Sequence, residues 1–400
     1  MLIGIVGKTN VGKSTLFKAL TLVNVEISNR VFTTINPNHA VGFVKAKCPE
    51  EKANAKCNPN LGFCRDGVRF IPVELLDVAG LVPGAHAGKG LGNKFLDDLR
   101  QADAFIHVID ISGSTNENGE PVEKGTYDPA NDIRFLEEEI GYWFFGMLKK
   151  NWAKFSKEVE MQKRDLVDSL AKQFSGLKIT EEQIKKALEI TDLPKDSPSR
   201  WSDEDLRRFA FELRRLSKRM VIAANKIDVP GAEENLERLR KEFPEYEIIP
   251  CSAESELALK EADKHGLIKY VPGGMDFEIL KPDELNEKQK NALEFVKKNV
   301  LEKFGSTGVQ ECLDKAVFDL LGYIVVYPVA NVNKLTDKKG NILPDAILVP
   351  KGTTLKEFAS KVHTDFADKF IGGIDFETKR KLGADYEVKD GDIIEILFGK

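Results

Sequence analysis

Short apolar runs alternate with helical patterns through the first third of the chain and again around residues 221–250. Ile3-Gly4-Ile5-Val6, the run Arg69 to Leu76, Ala104 to Ile109 and Met220 to Ala224 read as strands, and Thr15 to Leu20 begins a helix. Strands separated by helices predict an α/β fold with a mostly parallel sheet and ligands at the strand carboxyl ends. Between about Ile133 and Arg219 the strand pattern vanishes. Trp152, Phe155, Val159, Leu166, Leu170 and Phe174 recur at helical spacing, and Leu206, Phe209, Leu213, Leu216 and Met220 step by three and four. This predicts two long antiparallel helices packed as a coiled-coil hairpin, with smaller helices at its tip. Leu193-Pro194 and Ser197-Pro198-Ser199 mark the turn region.

From about Gly322 the pattern changes once more. Tyr323–Val329, Ala346–Val349 and Asp392–Phe398 read as strands, Thr354–Val362 as an amphipathic helix, and Gly340-Asn341 and Asp390-Gly391 as turns. The expected division is therefore 1–132 with 220–321, a helical insert at 133–219, and a C-terminal module at 322–400.

Composition narrows the class. The chain has 400 residues, 42% hydrophobic and 31% charged, with net charge −5, so it can build ordinary cores and is not globally basic. No segment has the length of uninterrupted apolar residues that a membrane span needs. The first strand begins at Leu2, which leaves no room for a leader peptide, and five Cys is a sparse, odd set. A reduced, cytoplasmic monomer without membrane contact is expected. The charge is uneven: residues 143–220 hold 18 Lys+Arg against 13 Asp+Glu, whereas residues 331–400 hold 12 of each. The local excess fits RNA phosphates as well as it fits a solvated helix face.

The chemistry begins at Gly7-Lys8-Thr9-Asn10-Val11-Gly12-Lys13-Ser14, a complete G-x-x-x-x-G-K-[ST] loop between a strand and a helix that starts near Thr15. Its backbone amides cradle phosphates, Lys13 reaches the β- and γ-phosphates, and Ser14 offers a hydroxyl to Mg²⁺. At the end of the 69–76 strand, Asp77 can hold Mg²⁺ and the Gly80 amide can meet a γ-phosphate. Thr34, in Phe32-Thr33-Thr34-Ile35, is the candidate third Mg²⁺ group, closing the shell only when the γ-phosphate is present. After the 220–224 strand comes Asn225-Lys226-Ile227-Asp228. The Asp228 carboxylate can accept from N1–H and N2–H₂ of guanine, which adenine lacks, while Lys226 packs over the base and Asn225 braces the loop. The backbone of Cys251-Ser252-Ala253 can cap the guanine oxygen.

With these motifs in order, the chain resembles the translation-factor-like GTPases of the Obg superfamily, most closely the YchF (Obg-like ATPase) subfamily in its archaeal form. The likeness is carried by NVGKST at 10–15, FTTINPN at 32–38 and DVAGLVPGAHAGKGLGNKFLDDLRQADAFIHVID at 77–110. It extends to the C-terminus, where LVPKGTTLKEFASKVHTDF and YEVKDGDIIEI resemble a TGS domain, a β-grasp module of RNA-linked enzymes. The resemblance implies a P-loop GTPase with Mg²⁺ as cofactor, GTP and GDP as ligands, and a ribosome or RNA partner met through the helical insert and the TGS domain. Many subfamily members have a degenerate base motif and prefer ATP, whereas this chain keeps Asn225-Lys226-Ile227-Asp228 intact. Leu81 stands where Ras-like proteins carry a water-orienting glutamine, so intrinsic hydrolysis is expected to be slow. In similar proteins an asparagine at the position of Asn10 helps bind K⁺ beside the phosphates; the plainer reading is that Asn10 braces its loop. His86 is a lesser candidate for holding the water, and Pro83–Gly92 reads as a switch segment.

Two other readings stay open: an ATPase of the same fold, and a nucleotide-binding regulatory scaffold with negligible turnover. Cys48, Cys57 and Cys64 with His39 have the donor types of a zinc site, but the spacings match no recognised zinc pattern, and incidental cysteines are the favoured reading.

Overall fold

A computed structural model describes residues 1–22, 38–78, 80, 98–363 and 369–399. Thr34, Leu81, His86 and the switch segment 83–92 lie outside the described residues. The described strands are, in chain order, β1 Leu2–Val6, β2 His39–Lys47, β3 Phe63–Arg65, β4 Val68–Asp77, β5 Ala104–Asp110, β6 Met220–Asn225, β7 Ile248–Cys251, β8 Ile268–Tyr270, β9 Phe277–Ile279, β10 Tyr323–Val329, β11 Ile347–Pro350, β12 Phe370–Asp375, β13 Lys381–Leu382 and β14 Ile393–Phe398. The chain forms two compact units: Met1–Phe17 with Leu75–Glu254, and Lys18–Glu74 with Ser255–Lys400.

In the first unit β1, β5, β6 and β7 are parallel neighbours in that order, registered by Ile5↔Ile106, Ile109↔Ala224 and Ala224↔Pro250. The end of β4 adjoins β1, and Val78 N–H donates to Ile5 O at 3.1 Å. Every residue of β1, β5 and β6 is buried, as near-continuous apolar runs in a parallel sheet require. Four of the five strands deliver their carboxyl ends to a predicted motif, closed or followed by Gly7, Asp77, Asn225 and Cys251, and β5 ends at Asp110.

The helical insert has the expected long helix and smaller helices, but its breaks differ and its returning helix is shorter than expected. One helix, Ala130–Met161, runs 32 residues. The return path is three shorter helices, Leu166–Gln173, Glu181–Thr191 and Asp203–Ser217. The reason is capping. Asp165 accepts from Asp168 N–H at 2.8 Å, and Thr180/Gln183 and Ser202/Asp205 form capping boxes. Lys163, Lys178 and Asp192 adopt left-handed backbones that end the preceding turns. Apolar periodicity does not register these interruptions. Trp152 and Trp201 then stack at 5.0 Å to join the long helix to the return. Among the described residues no helix is long and apolar enough to cross a membrane.

In the second unit β2 and β3 both pair with β4, and β8 pairs with β9. The C-terminal module is a five-stranded mixed sheet ordered β11-β10-β14-β12-β13. The helix Leu355–Val362 packs on it through Leu355, Phe358 and Ala359 against Val326, Val349 and Ile394. The three predicted strands and the helix are present, which is the β-grasp arrangement expected. β12 and β13 were not predicted: Gly372-Gly373 interrupts the apolar pattern of Phe370–Asp375, and a Cβ on Gly372 would lie 2.8 Å from Leu382 O.

His107 on β5 is fully buried, and its Nδ1 has no partner among the described residues. Burial, then the charges of Lys8 and Arg214, push it down to about 3 from an ordinary 6.5. The folded value is depressed, so the native state binds fewer protons than the unfolded chain below 6.5. Stability is therefore full above pH 6.5 and falls towards pH 3, by about 1.4 kcal/mol per unit. In urea titrations from pH 7 to 4.5, His107→Leu should lose less stability than wild type. Parallel curves would place the proton elsewhere. Taking the difference removes groups common to both proteins, such as Asp314, which burial pushes up to about 7 with the opposite sign.

Candidate functional site

The site is built where β1 ends and the helix Lys13–Thr21 begins. Gly7 has φ +155, and a Cβ there would lie 2.5 Å from Val108 O. Gly12 has φ +91, and its Cβ would lie 2.1 Å from Asn225 Nδ2. Glycine is therefore required at both ends of the loop, at the first for close approach and at the second for conformation as well. Thr9 and Ser14 are exposed, Thr15 is half-buried and Val11 is buried. Gly80 closes on the same loop: a Cβ on it would lie 3.8 Å from Thr9 Oγ1.

Lys13 donates to Asp77 Oδ1 and to Val78 O, the latter at 2.7 Å. The cation expected to seek phosphate and the carboxylate expected to seek metal thus neutralise each other in this conformation. Ser14 and Asp77 supply hard oxygen donors, the kind Mg²⁺ takes together with phosphate oxygens, so they fit that ion.

Asn225 joins three motifs. Its Nδ2 donates to Val11 O at 2.8 Å, and its Oδ1 accepts from Ala253 N–H at 2.9 Å. The Ala253 amide, expected to cap a guanine oxygen, is therefore already engaged; Ser252 beside it is buried. Lys226, with φ +66, donates to the buried Asp110 at 2.7 Å. Asp110 also accepts from Ser112 Oγ at 2.5 Å, Ser114 Oγ at 2.8 Å and Thr115 Oγ1 at 3.0 Å. Burial works against its charge, but the hydrogen bonds from Lys226, Ser112 and Ser114 hold the carboxyl below its usual range. Asp228, two residues on, is half-buried, and its carboxylate makes no hydrogen bond or ion pair among the described residues.

Two loop residues have side chains that serve the surrounding core and a neighbouring loop. Lys8 is 5% exposed. It donates to Thr115 O at 2.9 Å and Asp132 Oδ1 at 2.8 Å, and lies 3.8 Å from the Tyr127 ring centroid. Burial pushes Lys8 down and Asp132 up, and their hydrogen bond opposes both shifts. Its side chain is a core anchor, which leaves its backbone for phosphate. Asn10, with φ +63, donates Nδ2 to Gly119 O at 2.8 Å, so its amide braces a loop. A Cβ on Gly119 would lie 2.6 Å from Thr9 O. Sequence reading missed this supporting loop, from Ser112 to Tyr127. Its one local signal is the hydroxyl-rich Ser112-Gly113-Ser114-Thr115, one residue beyond Asp110.

Comparison with known proteins matches three segments. The family described as 50S ribosome-binding GTPase matches residues 2–137. The domain described as Obg-like GTPase YGR210-like, G4 motif-containing, matches 223–331, and the TGS domain matches 336–398. An uncharacterized GTP-binding protein of Methanocaldococcus jannaschii is 53% identical over 396 residues, covering 99% of this chain and 98% of that protein. The ribosome-binding ATPase YchF of Bacillus subtilis is 27% identical over 416 residues, covering 99% and 98%. The crystal structure of a GTP binding protein from Pyrococcus horikoshii OT3 is similar with TM-score 0.79 and 40% identity, over 100% of both chains.

Proposed function

This chain belongs to the YchF/Obg-like GTPase family, and from that premise we propose that it binds GTP, hydrolyses it slowly to GDP and phosphate, and acts as a ribosome-associated switch. The observation that carries the nucleotide choice is Asp228. Its unpaired carboxylate follows β6 within three residues of Asn225, which is itself tied to the phosphate loop. A carboxylate so placed pairs with two N–H donors on guanine and with none on adenine.

Phosphate binding requires Lys13 to leave Asp77. The incoming phosphates take the cation, and the freed carboxylate is then available, with the Ser14 hydroxyl and with Thr34 of the undescribed segment, to hold Mg²⁺. Held by these groups, Mg²⁺ would supply positive charge against the β- and γ-phosphates. Leu81 offers no side-chain hydrogen bond to a water, so turnover is slow unless another group positions it.

The ribosome part is supported by the names of bacterial relatives and by the basic excess of the helical insert. That excess is partly consumed within the insert itself. Arg207, Arg208 and Arg215 pair with Glu204, Asp205 and Glu212, and buried Arg214 pairs with Glu137 at 3.0 Å. Exposed Lys150, Lys157, Lys163 and Arg164 have no ion pair among the described residues, so phosphate contact falls to them.

ATP is the second reading, favoured by the ATPase names of the bacterial relatives. Competition of GTP and ATP for the wild-type chain decides between the two. Co-sedimentation with ribosomes, with GDP against a non-hydrolysable GTP analogue, tests the switch; equal association in both states removes it.

A further inference from the structure

In the second unit, a strand end, a short helix and a hairpin within residues 48–67 bring three cysteines together. The β3–β4 hairpin closes through Asp66-Gly67, both at positive φ (49 and 77), with Arg65 paired to Val68. This is the two-residue turn that Asp-Gly favours, and it places Cys64 on β3. Cys48 directly follows β2, and its N–H donates to Gly67 O at 2.8 Å, which fixes it against the hairpin. The short helix Glu50–Ala53 ends at Asn54 with φ 48, and the chain returns so that Cys57 N–H approaches Glu50 Oε2 at 3.4 Å.

The result is one compact donor set. Ligand atoms of Cys48, Glu50, Cys57 and Cys64 all lie within 4.8 Å of one another. Cys48 Sγ and Cys57 Sγ are 3.4 Å apart, far beyond a disulfide bond of about 2.05 Å. That separation is near the edge of about 3.8 Å expected for a tetrahedron with Zn–S of about 2.3 Å. His39, grouped with the cysteines in the sequence reading, is not a member; Glu50 takes the fourth place.

A second observation is independent of the thiols. Arg69, opposite Cys64 across the hairpin, is fully buried. It donates to Leu343 O and Pro344 O at 3.1 and 3.0 Å, its Nε has no partner, and it forms no ion pair with a carboxylate among the described residues. Asp345 acts on it without forming an ion pair, and a buried cation with no carboxylate in contact is costly. Three thiolates and a carboxylate around a divalent ion carry net charge −2 and would add the anionic charge that no carboxylate supplies in contact with Arg69.

We propose that Cys48, Glu50, Cys57 and Cys64 bind one Zn²⁺ in a closed structural site. Soft thiolates select zinc over Mg²⁺ or Ca²⁺, and four protein ligands leave no open position for substrate. The ion staples the 48–64 loop, and that loop carries contacts to the C-terminal module. Asn58 and Asn60 N–H donate to Ile342 O and Pro344 O, each at 2.8 Å, and Lys52 pairs with Glu377. Tyr327 Oη donates to Lys47 O at 3.2 Å just before Cys48. The metal thus holds together surfaces from opposite ends of the chain.

The test uses the full chain, expressed with added zinc and purified under reducing conditions. Elemental analysis should find one zinc per chain, and Cys57→Ser should retain less than a tenth of it. Exchange with Co²⁺ should give thiolate-to-cobalt charge-transfer bands and intense tetrahedral d–d bands, a readout on wild type that needs no variant to fold. Glu50→Gln should keep the charge-transfer bands and weaken zinc affinity at least tenfold. Chelation should raise amide exchange at residues 48–67 and 341–344. Zinc-free wild type, absent cobalt bands, or full zinc in Cys57→Ser overturns the assignment. So does a Cys48–Cys57 disulfide in the mass spectrum of protein never exposed to oxidant.

Discussion

Asp228→Asn should exchange guanine for xanthine. A carboxylate presents two acceptors to the N1–H and N2–H₂ of guanine. An asparagine presents one acceptor and one donor, which suits the N1–H and 2-oxo group of xanthine. Two charge-assisted hydrogen bonds are worth about 1.5–3 kcal/mol each, so GTP affinity should fall by roughly 10²–10⁴-fold. Because Asp228 has no protein partner among the described residues, no internal bond breaks and the fold should be unharmed. Competition among GTP, xanthosine triphosphate and ATP reads the outcome. A variant that still prefers GTP would show that the base is recognised elsewhere. If wild type binds ATP as tightly as GTP, the whole guanine argument fails.

Asn225→Ala should have the opposite profile, losing both fold stability and nucleotide affinity. The side chain is buried and holds Val11 O and Ala253 N–H at 2.8 and 2.9 Å. Truncation strands both groups where water has poor access, at about 1–3 kcal/mol each. The expected loss is about 2–6 kcal/mol in denaturant titration if the site does not rehydrate. The phosphate loop also loses its brace beside Gly12, so GTP binding should weaken even in the folded fraction. Comparison with Asp228→Asn separates the two roles, since that variant should change base choice at constant stability. A change in stability under about 0.5 kcal/mol, the range of an ordinary surface substitution, would show that Asn225 is not a keystone.

Much of this site is legible along the chain because its parts are local. The loop Gly7–Ser14 needs two glycines, a lysine and a hydroxyl at fixed spacing between a strand and a helix. Asp77, Asn225 and Cys251 each close or follow an apolar run that can only be a buried strand. Parallel topology then sends those strand ends to one edge, so order along the chain becomes proximity in space. The C-terminal module was readable for the same reason, except at β12, where two glycines hide the alternation. The helical insert was legible as a long helix and a returning one with smaller helices between, but its breaks are set by Asp165, Thr180 and Ser202, polar caps to which apolar periodicity is blind.

What the linear chain could not state is which polar side chains satisfy each other across long separations. The place of Lys8 in the loop says nothing of where its side chain goes; Asp132, 124 positions away, draws that side chain into the core. Lys13 and Asp77 are read separately from the sequence as candidates for nucleotide and metal, and only folding shows that they pair with each other. Glu50 has no distinguishing context in sequence, whereas His39 does; the turn at Asn54 and the Asp66-Gly67 hairpin put the carboxylate, not the imidazole, beside the three thiols. Backbone preference and burial of apolar surface are encoded within a few residues and survive reading in order. Pairing of buried charges is a property of the closed core, where desolvation makes each polar group take whichever partner the packing brings within reach.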